Sequence, residues 1–391
     1  MTIEGRLDID LYCEHSRVRE VSIRSSRPFE AVSIFTGRRV TDVLALLPRL
    51  FSVCGTAQAM AGTGACEQAL GIDVPPVQDR ARGLLVMAET VREHLWRVLL
   101  DWPAFVGRKP VSSSLVCVTG LPARLHTALY PDNDAFRPGG GRLTVNRAAL
   151  HDCLTQAQAM IETHVLDLGV DEWSAFADQA ALLAWADTSD CIAAAMVRTV
   201  ASAGWSGFGR CGVGALPALP PDRLHEHLRA SSADTFVRCP QWDGRTHETT
   251  PLVRQRRAAL IASLDCASGN GLLPRLVARL HEVVVLLAEL QLQAGELADD
   301  AGGSAPRQRS GTGLAQVEAA RGRLIHRVEI GDDRVTRYQI VAPTEWNFHP
   351  QGVLAQGLAG GSADGAEHLQ RQAALLVNAI DPCVDYRIRV H

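Results

Sequence analysis

The sequence has no Cys-x-x-Cys pair, although it contains 10 cysteines among its 391 residues. A structural zinc site and a redox-active dithiol both depend on that spacing, so neither is expected here. In a reducing compartment most thiols of such a chain behave as small buried hydrophobic groups. We expect ordinary core positions for the cysteines outside two motifs described below, which are Cys13, Cys66, Cys117, Cys153, Cys191, Cys211, Cys239 and Cys266.

The usual features of exported, membrane-spanning and nucleic-acid-binding proteins are also missing. Residues 1–6 lack the charged and then apolar layout of a signal peptide. No apolar run approaches the ~20 residues that a helix needs to cross a bilayer. The formal net charge is −4, and acidic and basic residues are interspersed, so there is no basic stripe. The sequence therefore predicts a cytoplasmic protein whose partners include neither a membrane nor a nucleic acid.

Hydrophobic residues are plentiful, at 47% of the chain, and can form a sizeable core. Helical periodicity of the apolar residues dominates the middle of the sequence. It predicts helices from Thr41 onward and at residues 78–100, 145–162, 171–199, 221–230, 252–264, 273–297 and 366–380. The expected fold class is therefore mainly α.

Strand patterns are confined to the two ends of the chain. Alternation of apolar and polar residues at 3–13 and 17–24 predicts a β-hairpin that turns at 14–16. A second hairpin is predicted between residues 324 and 340, with its turn at 331–333. The result is an α+β chain with small hairpin or sheet regions near both termini.

We expect a single domain over residues 1–391. Its first part, 1–64, contains the N-terminal hairpin and the first cysteine motif, and a helical body follows at 65–297. Small polar residues at 298–313 predict a flexible surface loop rather than a domain boundary. The second hairpin and the last cysteine motif occupy residues 314–391.

One cysteine lies in each of two short motifs. Residues 49–58 read R-L-F-S-V-C-G-T-A-Q around Cys54, and residues 381–391 read D-P-C-V-D-Y-R-I-R-V-H around Cys383. They resemble the R-x-C-G-x-C-x-x-x-H and D-P-C-x-x-C-x-x-H motifs of nickel–iron hydrogenase large subunits. Each motif keeps one of its two cysteines. The replacements are Phe51 and Gln58 in the first motif, and Tyr386 and Arg389 in the second.

Three further segments resemble the same family. Residues 318–326, E-A-A-R-G-R-L-I-H, are similar to its E-A-P-R-G-x-L-x-H, and residues 338–347, Y-Q-I-V-A-P-T-E-W-N, are similar to its Y-Q-x-V-x-P-T-x-W-N. Residues 3–7, I-E-G-R-L, resemble its I-E-G-H-L opening. The matches lie at both ends of the chain, and the resemblance implies a hydrogenase large-subunit-like fold.

The resemblance also implies a metal chemistry. In that family four thiolates hold nickel together with an iron that carries two cyanides and one carbon monoxide. Cys54 would occupy a bridging position and Cys383 a nickel-terminal position. Two thiolates are too few for the bimetallic centre, so we expect no nickel and no enzymatic turnover of hydrogen. They can still complete the coordination of an Fe(CN)2CO unit.

Groups around the cysteines follow from the same resemblance. Arg321 would point its guanidinium into the metal pocket, and the turn at Pro343 and Thr344 would donate hydrogen bonds to a bound cyanide. Glu4 would lie beside the metal. The alternative is that Arg321 and Thr344 only fix a β-turn in an inherited fold.

Half-retained ligands together with retained cyanide-facing groups are typical of a protein that handles the iron unit without using it. The chain resembles the HupK/HoxV family of hydrogenase maturation proteins. That resemblance implies a scaffold, bound transiently to the Fe(CN)2CO unit. Its partners would be a small HypC-type carrier chaperone, the HypD-type maturation complex and the hydrogenase large subunit. The sequence shows no tail beyond the last motif for a maturation protease to remove, which we expect of an accessory protein.

Other functions remain open at this point. A metal-free mimic of the large subunit could dock maturation chaperones or hydrogenase subunits, and it would tolerate alanine at Cys54 and Cys383. An unusual hydrogenase that uses other cysteines would require nickel in the purified protein. The quinone-site subunit of respiratory complex I shares the ancestral fold, but it has abandoned the motif cysteines.

Overall fold

The N-terminal alternation forms the predicted hairpin. The computed structural model describes residues 5–15, 17–110, 112–362 and 365–391, with the backbone alone at 112–117. Strand β1 (Arg6–Glu14) pairs antiparallel with β2 (Arg17–Ser25). The alternate residues Leu7, Ile9 and Leu11 of β1 are fully buried, as the period of two requires.

Two helices meet at a sharp bend around Cys54. Helix α1 (Val40–Leu50) is followed by a short 3-10 turn, Ser52–Cys54, and then by α2 (Gly55–Leu70). The axes of the two helical segments are bent by 98°. Helix α2 consists mostly of glycine, alanine and other small residues, so neighbouring backbone can approach it closely.

The middle of the chain is a helical body, as predicted. Its elements in chain order are α3 (Pro76–Trp96), α4 (Trp102–Phe105), α5 (Ser112–Leu129), α6 (Arg147–Ile161), α7 (Val170–Ser174), α8 (Gln179–Thr188), α9 (Ile192–Ser202), β3 (Gly214–Ala215), α10 (Pro221–Arg229), α11 (Ala233–Arg238), β4 (His247–Glu248), α12 (Pro251–Gln255), α13 (Ala259–Ser268) and α14 (Leu272–Glu296). Helices α3, α5, α6 and α14 contribute much of the largest hydrophobic cluster.

Two predicted helices are divided in the structure. The segment 171–199 contains α7, α8 and α9, and the segment 252–264 spans α12 and the start of α13. New helix starts explain the first division, because the Asp178 carboxylate and the Cys191 sulfur accept backbone N–H groups at the N-termini of α8 and α9. Helix α5 was not predicted.

The segment 298–310 has an irregular backbone. Asp300 forms an isolated bridge with Leu143, and the N–H groups of Arg307 and Gln308 donate to the Leu70 carbonyl. The polar composition therefore corresponds to a loop whose backbone is bonded to the body at several points.

The second hairpin is confirmed, and it belongs to a larger sheet. Strands β5 (Gly311–Ala319), β6 (Gly322–Gly331) and β7 (Arg334–Val341) form an antiparallel sheet in that order. Strand β5 is not predicted by the sequence, and it begins inside the expected loop 298–313. Gly311 and Gly313 favour a loop by composition, although the structure pairs both with β6. Helix α2 packs against this sheet.

The C-terminal strand returns to the N-terminal sheet. Helices α15 (Pro343–Asn347), α16 (Val353–Leu358) and α17 (Ala366–Ile380) precede β8 (Asp385–Val390). Strand β8 pairs parallel with β1, and the sheet has the order β2-β1-β8. The two ends of the chain therefore share one sheet, and the mainly α fold with small sheets near both termini is confirmed.

The helices of the described ranges differ in length and in apolar content. No single helix there is both long and apolar enough to cross a bilayer. The bent pairs Val40–Leu50 with Ser52–Leu70, and Gln179–Thr188 with Ile192–Ser202, meet the length and composition conditions only when their halves are joined.

Candidate metal centre

Cys54 lies at the N-cap of α2, immediately after the bend. The buried Glu89 carboxylate accepts the backbone N–H groups of Thr56 at 2.7 Å and Ala57 at 3.0 Å, which fixes the first turn of the helix. Gln58 lies one turn after Cys54 on the same face, and its Nε2 donates to the Cys54 sulfur at 3.4 Å. The local fold therefore orients this cysteine from two sides.

Cys383 lies where α17 gives way to β8. Asp381 ends the helix with a φ of 67°, and Pro382 prevents its continuation. The Thr344 hydroxyl lies 3.1 Å from the Cys383 sulfur, and the Cys383 N–H donates to the same hydroxyl at 3.4 Å. The start of α15 and the C-terminal turn are thereby joined at this cysteine.

The two cysteines interact electrostatically with each other, and the region that they share with Arg27 and Arg321 is called the pocket below. Burial, together with the neighbouring Cys383 sulfur and Glu89 carboxylate, raises the pKa of Cys54 to about 12. Burial disfavours the charge on Arg27, but Cys383, Glu345 and Cys54 together outweigh it and raise the pKa of this guanidinium. Two sulfur atoms from opposite ends of the chain thus share a charged environment.

Arg321 interacts electrostatically with both cysteines. Burial opposes its charge, while Asp381, Glu93 and both cysteines raise the pKa of the guanidinium. Its Nη2 donates to Glu93 at 3.1 Å, and its Nε lies 3.3 Å from the Asp381 carboxylate. Its Nη1 is buried and makes no hydrogen bond to any described residue. A hydrogen-bond donor is therefore left for a ligand in the pocket.

Carboxylates hold Arg321 in place. Burial would raise the pKa of Asp381, but Arg321, Arg97 and Arg279 lower it to about 2. Arg97 donates to the Asp381 carboxylate at 2.8 Å. The buried charges are mutually compensated, which is the condition for keeping such groups away from water. The network gives Arg321 one orientation.

Arg27 was missed by the sequence reasoning, as was its partner Glu345. Nη1 of Arg27 donates to the Glu345 carboxylate at 3.1 Å, and its guanidinium lies 5.7 Å from the centre of the Phe51 ring. Burial raises the pKa of Glu345 to about 7, while Arg27 acts in the opposite direction. Arg27 belongs to none of the motifs, so the sequence carried no signal for it.

The replaced ligand positions differ from one another. Phe51 is 7% exposed and packs in the core around α1, α2 and β7. Tyr386 is 37% exposed and lines a cavity of ≈ 220 Å³ beside Cys383. Arg389 lies on β8, 3.2 Å from the Asp10 carboxylate and 3.3 Å from that of Asp8. None of these three side chains contains a sulfur atom.

Most of the predicted site residues are neighbours. Arg321 interacts electrostatically with both Cys54 and Cys383, the Thr344 hydroxyl contacts the Cys383 sulfur, and Pro343 begins the helix that carries Thr344. Glu4 lies outside the described residues. In the described part of the chain, no group of three or more His, Cys, Asp or Glu side chains is arranged to bind a metal. The region thus contains two cysteine sulfur atoms together with guanidinium and hydroxyl groups.

Comparisons with known proteins agree with this architecture. The family model described as nickel-dependent hydrogenase matches residues 216–362. The nickel–iron–selenium hydrogenase of Desulfovibrio vulgaris Hildenborough has a similar structure, with a TM-score of 0.70 at 17% identity, covering 95% of this chain and 94% of that chain. The fold and the half-retained cysteine motifs thus define a hydrogenase large-subunit-like protein.

Relatives in sequence identify the family more narrowly. The chain is 30% identical to the hydrogenase expression/formation protein HupK of Bradyrhizobium diazoefficiens, over 99% of this chain and 97% of that protein. It is 31% identical to the hydrogenase expression/formation protein HoxV of Cupriavidus necator, over 94% of this chain and 92% of that protein. The chain belongs to the HupK/HoxV family of hydrogenase expression/formation proteins, and its role lies in hydrogenase maturation.

Proposed function

We propose that this protein is a maturation scaffold that binds an Fe(CN)2CO unit through Cys54 and Cys383 and passes it to a hydrogenase large subunit. The iron unit is cargo, so no substrate is turned over. The observation that carries the proposal is the shared electrostatic environment, in which both cysteines interact with the guanidinium groups of Arg27 and Arg321.

The donor set suits an iron that brings ligands of its own. Cys54 and Cys383 supply two soft sulfur donors, and no other His, Cys, Asp or Glu of the described residues joins them in a metal site. An iron atom with three diatomic ligands needs only a few further donors, and thiolates are appropriate for low-spin iron. Two retained cysteines are therefore sufficient for this cargo.

The charges of the pocket also suit the cargo. Iron(II) with two cyanides and two thiolates carries a net negative charge, and Arg27 and Arg321 face it. Nη1 of Arg321 is a buried donor that makes no hydrogen bond within the described part of the chain. A cyanide nitrogen is an anionic acceptor, so a guanidinium N–H is its natural partner. Thr344 offers a hydroxyl beside Cys383.

The partners follow from the direction of transfer. We expect a small HypC-type carrier chaperone and the HypD-type maturation complex to deliver the iron unit, and the hydrogenase large subunit to receive it. The proposal retains the cytoplasmic location that the sequence predicts. The large-subunit-like fold supports the scaffold function, because a scaffold with this fold would hold the iron unit in surroundings similar to those of its final site in the large subunit.

The test is an infrared spectrum of protein purified anaerobically from cells that express the full maturation machinery. Cyanide and carbonyl stretching bands should accompany the wild-type protein and disappear in Cys54→Ala and in Cys383→Ala. Cys266→Ala is the matched control, because Cys266 is exposed on α13 and should leave the bands unchanged. A folded wild-type protein without bands would instead favour the metal-free docking mimic.

A further inference from the structure

A chain of buried hydrogen bonds leads away from the Cys54 sulfur. Gln58 is 1% exposed, and its Nε2 donates to that sulfur at 3.4 Å. Its Oε1 lies 2.9 Å from Nε2 of His326, and Nδ1 of His326 lies 2.8 Å from the Tyr338 hydroxyl. The amide of Gln58 is therefore bonded at both ends.

The direction of these hydrogen bonds follows from their chemistry. The Gln58 carbonyl oxygen can only accept, so Nε2 of His326 carries the hydrogen. Burial, aided by the charge of Arg27, lowers the pKa of His326 to about 3, so the imidazole is neutral and has only one N–H. Its Nδ1 then accepts from the Tyr338 hydroxyl. Every donor in the chain points towards Cys54.

We propose that Gln58 is a positioning residue for Cys54, and that His326 and Tyr338 lock its amide with the NH2 group towards the sulfur. The effect of this hydrogen bond on the iron unit rests on the proposed function. A sulfur atom that receives a hydrogen bond donates less charge to the iron that it binds. The amide also offers no transferable proton, unlike the histidine that hydrogenase large subunits have at this motif position. Gln58 would thereby set how strongly Cys54 binds the iron unit.

The orientation is tested first on the iron-free protein. Nitrogen-15 NMR of labelled histidine, assigned with His326→Gln, should show His326 as the neutral tautomer with hydrogen on Nε2. The tautomer with hydrogen on Nδ1 would overturn the proposal, because Gln58 would then present its carbonyl to Cys54. This measurement needs no cargo, so its result is independent of whether the iron unit binds.

The effect on the cargo is tested with loaded protein. Gln58→Leu removes the donor, so more charge reaches the iron and the carbonyl band should move to lower wavenumber. Tyr338→Phe should cause a smaller shift in the same direction, because it only loosens the tautomer of His326. The double variant should match Gln58→Leu alone, since Tyr338 acts through Gln58.

The control is Tyr130→Phe, a buried tyrosine that bonds to Gln78 and is remote from the pocket residues in sequence and contacts. It should leave the band in place. An unchanged band in Gln58→Leu, or a Tyr338→Phe shift that persists beside Leu at position 58, would overturn the positioning role. If wild-type protein had no cyanide or carbonyl bands, the proposed function would be contradicted. The tautomer of His326 would still decide the orientation of the Gln58 amide.

Discussion

Phe51 and Tyr386 occupy the positions of the missing cysteines in different ways. Replacing a small buried group changes the volume of a core, and the surrounding residues have to adapt. Phe51 is packed in the core beneath the Arg27 guanidinium, whereas Tyr386 stays at the surface beside a cavity. On one side of the pocket the lost ligand is replaced by an aromatic ring and a charge.

Arg321 provides a prediction about cargo binding. Arg321→Lys keeps the positive charge but loses the planar fork that contacts Glu93 and Asp381 and leaves Nη1 free. A hydrogen bond to a charged group contributes roughly 1.5–3 kcal/mol, so the iron unit should be held about ten- to hundredfold more weakly. The retained infrared intensity during dialysis measures this. Arg323→Lys, at a half-buried surface ion pair with Glu318, is the control and should retain the cargo.

Glu345 provides a prediction about pH. Its pKa rises from 4.5 in the unfolded chain to about 7 in the fold, so the folded protein keeps a proton that the unfolded chain releases. In the wild-type protein the free energy of unfolding should therefore decrease as the pH rises from 4.5 to about 7. Glu345→Gln should remove that part of the pH dependence. Urea denaturation across this range tests it, with exposed Glu30→Gln as the control. Parallel curves for wild type and Glu345→Gln would contradict the assignment.

At the residue scale the sequence was informative where motifs are contiguous. Cys54, Cys383, Arg321 and Thr344 all belong to short segments that resemble a family, and the structure brings them together. Arg27 and Glu93 act through contacts with residues far away in sequence, so no local pattern encodes them. The electrostatics of the pocket could therefore not be predicted from the motifs alone.

The packing of α2 against the second sheet depends on glycine. A methyl group at Gly313 of β5 would overlap the carbonyl oxygen of Ala65, which belongs to α2 and cannot move as a flexible side chain could. A side chain at Gly62 would meet Leu47 and the Tyr338 hydroxyl. Because Cys54 precedes α2, this close contact also fixes where the cysteine lies.

Gly313→Ala should therefore be destabilising. Overpacking of this kind typically costs 1–3 kcal/mol, and a clash with backbone places the expected loss at about the upper end. Gly83→Ala is the matched control, because Gly83 lies within α3 with open space around it. The control should gain about 0.5–1 kcal/mol of helix stability. Chemical denaturation of both variants measures the difference, and equal midpoints would contradict the packing argument.

At the element scale the helices were easier to predict than the strands. Long apolar faces identified α3 and α14 from their periodicity, while side-chain caps that divide 171–199 were not recognised. The glycines at the start of β5 hide its strand pattern, and the residues of β8 resemble a metal motif rather than a strand. Both strands form because distant partners are available, which is a tertiary effect that local propensity does not contain.

The two ends of the chain pair in one sheet, and the strand that follows Cys383 belongs to it. Asp10 of β1 is 2% exposed and accepts hydrogen bonds from Arg24 at 2.7 Å, Arg389 at 3.2 Å and His391 at 2.9 Å. Two of these donors come from the last three residues. The β1–β8 pairing therefore holds the segment that follows Cys383 in one register.

Asp10→Asn should loosen the C-terminal strand. The His391 hydrogen bond, together with Arg389 and Arg24, lowers the pKa of Asp10 below 3.8 and outweighs the effect of burial. The ionised Asp10 carboxylate therefore stabilises the fold above pH 3.8, and this contribution is lost as the pH falls through the lowered pKa of Asp10. Hydrogen exchange of the β8 amides should be faster in Asp10→Asn than in wild type at neutral pH. Exposed Asp152→Asn should leave the exchange of β8 unchanged.

The central claim concerns the two sulfur atoms, and the iron K-edge X-ray absorption spectrum of loaded wild-type protein tests it most directly. We predict two sulfur scatterers in the first shell of iron, from Cys54 and Cys383, beside the short bonds to diatomic ligands. A first shell without sulfur, or with oxygen and nitrogen in its place, would contradict the scaffold.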